Sequence, residues 1–131
     1  VETGTVEEDA INETAKQCKA DGKKDITIQS SKQQTDATTA VVTGKADVFF
    51  ADSPVVGYAI AQTEGQLEQL GKDFDSVPNA IAIKKGDSQA TDAVQKAMQK
   101  LMDDGTYGKI LQHWGVESGA LDKAEINPSV D

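Results

Sequence analysis

The chain has 131 residues, a 37% hydrophobic share and 11 glycines, enough for one domain or two small lobes with a packed core. Its basic residues number 13 against 22 acids, and a net charge of −9 repels phosphate backbones and argues against nucleic-acid binding. No run of apolar residues is long enough for a membrane-spanning helix, and the single cysteine, Cys18, rules out an internal disulfide.

The opening "VETGT" reads as the end of a strand entering a turn, as expected of a chain trimmed from something longer, and no signal peptide is legible. Thr5 and Glu8 fit a capping box, with Thr5 as N-cap of a first helix. Val6, Ala10, Ile11, Ala15 and Cys18 then share one helical face, and Asp21-Gly22 ends the helix. Asp25 to Ser30 alternates as a strand does. Thr35 caps a second helix with Ala37, Ala40 and Val41 inward, and Gly44 closes it. Val48 to Ala51 is a continuous apolar run, the pattern of a strand covered on both faces. Ser53 as N-cap and Pro54 at the first helical position start a third helix through about Gln62. "QLEQLG" at 66–71 is a further short strand.

Strand and helix thus alternate over the first 70 or so residues, which predicts an α/β fold with a mostly parallel sheet flanked by helices. "GKDFDSVP" at 71–78 is a connector, and "NAIAIKKGD" another strand with a polar exit. From Ser88, the residues Ala90, Val94, Ala97, Met98, Leu101 and Met102 form an apolar helical stripe that Asp104-Gly105 stops. Thr106 caps a short last helix with Tyr107, Ile110, Leu111 and Trp114 inward, ended by Gly115. The polar tail from Val116 reads as a loosely packed extension.

Chemistry has few footholds. There is no nucleophile elbow, no phosphate-binding glycine loop and no cysteine pair for zinc, so no cofactor is implied. His113 suits the negative end of the last helix, Cys18 reads as a buried thiol, and the two acids of "DFD" at 73–75 are too few for a metal site. Two places remain. The turn at Thr5 presents a helix start whose N–H groups attract anions, unless Thr5 and Glu8 satisfy those groups themselves. Asp52 stands where a buried strand hands over to a helix. It could stabilise the helix start, but the carboxyl ends of parallel strands are where ligands sit. Donors at Thr5 and a carboxylate at Asp52 match the two ends of a zwitterion, an α-amino acid.

Three blocks, "VETGTVEED", "GKADVFFADSPVVGYAI" and "NAIAIKKGDSQATDAVQKAMQKLMDDGTYGKILQHWGV", together resemble the polar amino-acid family of ABC-transporter solute-binding proteins, over positions 1 to about 116. The resemblance implies a periplasmic-binding-protein fold, two α/β lobes that close on a ligand by hinge motion and deliver it to a membrane permease. It divides the chain into lobe two at 1–72, a crossover with the C-terminal portion of lobe one at 73–115, and an extended tail at 116–131. The N-terminal part of lobe one has no counterpart, so the second lobe stands against an incomplete first. That missing part carries the family's carboxylate-clamping arginine, and this chain has no arginine at all.

Carried over by motif, Asp52 accepts the ligand ammonium, Thr5 and the Val6 N–H meet its carboxylate, and Glu2 stands where some members touch the ligand side chain. The family is not one of enzymes. It works at the periplasmic or extracellular face of the bacterial membrane and reaches the membrane only through the permease or a lipid anchor. The uncovered stripe Val94, Met98, Leu101 and Met102 costs on the order of 1.5–3 kcal/mol for each large side chain left in water. A covering chain, a homodimer, a domain swap or a collapsed rearrangement is therefore expected. Two other uses of the fold stay open: a ligand-sensing receptor domain and a small-acid dehydratase, the latter lacking an acid/base set here.

Overall fold

A computed structural model describes residues 1–129, and the last two positions of the tail expected over 116–131 lie outside the described residues. The chain divides into two compact units, Val1–Gln69 and a second that begins at Leu70. Three helices belong to the first: α1 (Val6–Ala20), α2 (Gln34–Val42) and α3 (Ser53–Gln62). The second holds α4 (Ser88–Asp103), α5 (Thr106–Trp114) and a single 3-10 turn, Glu117–Gly119.

Local chemistry explains the helix ends. Thr5 caps α1, its hydroxyl accepting the Glu8 N–H at 3.3 Å. The α2 exit is a Schellman turn: Gly44 takes φ 70°, its N–H donates to Val41 O at 3.0 Å, and Lys45 N–H donates to Ala40 O at 2.8 Å. Asp87 caps α4 through Oδ1, which accepts the Ala90 N–H at 3.0 Å. Three expected caps move. Gln33 rather than Thr35 precedes α2, Gly105 rather than Thr106 precedes α5, and Asp52 rather than Ser53 precedes α3, which puts Pro54 one place further into the helix.

The expected sheet is the main departure. Among the described residues no strand forms at 25–30, 48–51, 66–71 or in "NAIAIKKGD". One parallel bridge joins Glu2 to Ser31, through Thr3 N–H to Ser31 O at 2.8 Å and Ser31 N–H to Val1 O at 2.9 Å. Its sense is the parallel one expected. A strand, however, needs a continuous ladder to a neighbour about 4.8 Å away, and only this register point meets that condition.

The core is correspondingly thin. Among the described residues only Ala37 and Ala59 are buried apolar side chains, while Val48 is 62% and Leu70 85% exposed. Val6, expected on the inner face of α1, is 77% exposed, and the half-buried residues of that helix include Ile11, Ala15 and Cys18. In the second unit α4 packs on α5, and Val94, Met98, Leu101 and Met102 are half-buried. Tyr107 and Leu111 are half-buried too, but Ile110 of the same expected face is 49% exposed.

Two glycines should respond oppositely to alanine. A Cβ meets nothing within 4 Å at either Gly44 or Gly108. At Gly44 the left-handed backbone penalises alanine by about 1–2 kcal/mol, whereas Gly108 lies inside α5, where alanine gains about 0.5–1 kcal/mol. Urea midpoints should therefore fall for Gly44→Ala and rise for Gly108→Ala.

Candidate functional site

The start of α1 is held by a small polar knot. Glu8 reaches back along the helix start, with Oε2 accepting the Gly4 N–H at 2.8 Å and Oε1 accepting the Ser30 hydroxyl at 2.5 Å. In an ordinary capping box the glutamate returns to the N-cap N–H; here it takes the preceding N–H and a second segment of chain as well. These two bonds, the Ser30 one first, hold the Glu8 carboxyl below the usual carboxylate range. The Thr5 hydroxyl donates to Glu2 O at 3.0 Å while accepting from Glu8 N–H.

This geometry separates the two readings of the Thr5 turn. Gly4 and Glu8 N–H groups are satisfied internally, and the Thr5 hydroxyl proton is committed to the fold. Val6 N–H has no acceptor among the described residues. What the helix start can still offer an anion is thus the backbone N–H groups of Val6 and Glu7, while Thr5 sets their position. Glu2 is half-buried, bridged to Ser31 through its backbone, and its carbonyl anchors Thr5.

Asp52 is the N-cap of α3, yet its carboxylate makes no capping bond. Its backbone carbonyl accepts from Val55 at 2.9 Å and Val56 at 3.0 Å, and Pro54 presets the first turn. Desolvation first, then the nearby carboxyl of Glu7 in the first turn of α1, raise the exposed Asp52 carboxyl above the usual range. The structure therefore brings Asp52 to the helix start that Thr5 and Val6 form, through a residue the sequence reading passed over. Glu7 is adjacent to Val6 and carries no motif of its own, so only the fold reveals it.

Two neighbouring carboxyls favour a proton or a cation more than either would alone. Among the described residues no group of three or more His, Cys, Asp or Glu could hold a metal ion, and no helix is long and apolar enough to cross a membrane. His113 stands in the last turn of α5 with its ring edge-on to Trp114, 5.3 Å between centroids.

Residues 1–117 match the bacterial extracellular solute-binding proteins, family 3. The chain belongs to this family. Family membership carries the periplasmic-binding-protein fold with it. The arginine-binding protein of Corynebacterium glutamicum is 39% identical over 125 residues, which are 95% of this chain and 41% of that protein. The glutamine-binding protein of a Bacillus subtilis ABC transporter is 31% identical over 85 residues, 65% of this chain and 31% of that one. A glutamate-binding protein of Corynebacterium efficiens is 29% identical over 92 residues, 66% of this chain and 31% of its own length. The chain thus spans less than half the length of these relatives. No solved structure matches the chain at a significant level.

The two acids titrate in opposite senses. Glu8, with a lowered folded value, stabilises above the ordinary glutamate range, and that contribution disappears as pH falls through its folded value. Glu8→Gln should flatten the acid limb of a melting-temperature profile. Asp52, with a raised folded value, disfavours the fold once ionised. Asp52→Asn should raise the melting temperature at neutral pH, and the gain should vanish as pH falls through the aspartate range.

Proposed function

We propose that the chain is the amino-acid-binding component of an ABC transporter, or the larger part of its ligand-holding half. Residues 1–72 act as lobe two, 73–115 as crossover and C-terminal portion of lobe one, and 116–131 as tail. The lobe's sheet is the mostly parallel one of the family, of which the Glu2–Ser31 bridge is one register point. Function is capture of an α-amino acid between two lobes and delivery to the permease, with no chemistry performed on the ligand. The site of action is the periplasmic or extracellular face of the bacterial membrane, reached through the permease or a lipid anchor.

The observation that carries this reading is the Asp52 carboxylate, left out of the α3 cap and set against Glu7. A carboxylate that does no capping and sits in a raised-energy pair gains most from a cation. The ligand α-ammonium supplies one, and the Val6 N–H with Thr5 behind it meets the ligand carboxylate. Glu7 and Glu2 add negative charge around this seat, which favours a ligand with a basic side chain. The arginine-binding relative, matched over 95% of the chain, supports the same preference.

Calorimetry with L-arginine, L-glutamine and L-glutamate tests the reading, on this chain and on the longer protein of which the proposal makes it a part. L-arginine should bind most tightly. Asp52→Ala removes a charge-assisted hydrogen bond worth about 1.5–3 kcal/mol, so affinity should fall by about 10- to 150-fold. Unchanged affinity in that variant would sink the assignment of Asp52 to the ammonium.

A further inference from the structure

The tail does not behave as the loose extension its polar composition suggests. Ala124 N–H donates to Gln99 Oε1 at 3.0 Å, and Ala124 O accepts from Gln95 Nε2 at 2.9 Å. Gln99 Nε2 reaches Asp122 O at 3.4 Å and Asp103 Oδ1 at 2.9 Å. Further back, Leu121 N–H donates to the Tyr107 hydroxyl of α5 at 3.3 Å. At the other end Ile126 lines an open depression together with Gly86, Asp87, Ser88, Thr91 and Asp92.

Asp122 and Ala124 meet Gln99, and Ala124 also meets Gln95, so the tail runs along α4 in the opposite direction. Gln99 uses both ends of its amide, oxygen accepting and nitrogen donating, while Gln95 donates through its nitrogen. Gln95 and Gln99 are half-buried despite their polar side chains. Burial of an amide is tolerated where its hydrogen bonds are made, and the tail backbone makes these.

We propose that residues 121–124 form a latch, a strap of chain that docks on the Gln95–Gln99 track of α4 and on Tyr107 of α5 and opens as a unit without unfolding either helix. The track recognises backbone rather than side chains, because its bonds go to the N–H and C=O of Ala124 and the C=O of Asp122. Its occupant is this chain's own tail. The strap flanks the apolar stripe of α4, since Gln95 and Gln99 are one helical position from Val94 and Met98. Release of the strap would open that edge of the stripe to water.

Amide hydrogen exchange on the whole chain, read by NMR, tests this without any ligand. Leu121 and Ala124 amides should exchange at least about tenfold more slowly than in a free peptide of residues 118–129, since each such factor corresponds to about 1.4 kcal/mol. Gln99→Ala should return both amides to the peptide rate while α4 and α5 amides such as Met98 and Leu111 keep their protection. Tyr107→Phe, which keeps the ring, should lower protection at Ala124, a residue Tyr107 does not touch. Peptide-like exchange of both amides in the unaltered chain overturns the latch. So does a Tyr107→Phe effect confined to Leu121, which would mean independent contacts rather than one unit.

Discussion

The Glu8 carboxylate is the contact on which the α1 end of the first unit depends. One oxygen holds the Gly4 N–H and the other holds Ser30, 22 residues away in sequence. The first bond shapes the turn that precedes α1. The second fixes that turn beside the segment whose Ser31 makes the parallel bridge to Glu2. With the sheet reduced to this bridge, non-local order here is polar rather than apolar. A carboxylate suits the task because it offers two acceptors in a fixed plane to two donors at once. Its exposure means that each bond competes with water, so the knot sets geometry more than it adds stability.

Asp52 and Glu7 are the opposite case. They lie at two helix N-termini, where negative charge is favourable to each helix separately. Brought together, they repel and raise the Asp52 carboxyl. The α3 cap gives no structural return for that cost, because the carboxylate makes no capping bond. The two helix dipoles limit this repulsion, and the proposed ligand ammonium would remove what remains.

The legibility of the chain follows the range of the forces involved. Helix bodies and exits were readable from the sequence because they depend on neighbours three and four residues apart. The α4 stripe from Ser88, the Gly44 exit and the Thr5 cap all stand where the sequence puts them. Starts that several residues could supply were less readable. Ser53, Thr35 and Thr106 are plausible caps, yet the chain begins each helix one or two residues earlier, because backbone geometry there does not need a side-chain acceptor. The period-two and continuous apolar runs at 25–30 and 48–51 predicted strands, but a strand's existence rests on a partner, which sequence pattern alone does not provide. Within the proposed site, Asp52 and Thr5 were visible in the sequence as residues flanking helix starts. Glu7 was not, because its proximity to Asp52 comes only from the fold.

The tail shows how a chain with few buried apolar residues can still order a distant segment. Ala124 has almost no side chain to bury, and Leu121 and Ile126 remain 45% and 49% exposed. Hydrophobic burial is therefore a minor part of what holds the strap. The i, i+4 spacing of Gln95 and Gln99 does the organising, since it lets both amides bond the backbone of Asp122 and Ala124. Glutamine is the residue for such a track, being long enough to reach a neighbouring backbone and carrying donor and acceptor on one planar group. A glutamate would keep the acceptor but lose the donors, and a lysine the reverse. A composition that looks like a solvated helix face thus encodes a docking surface once the two glutamines fall four residues apart beside an extended segment.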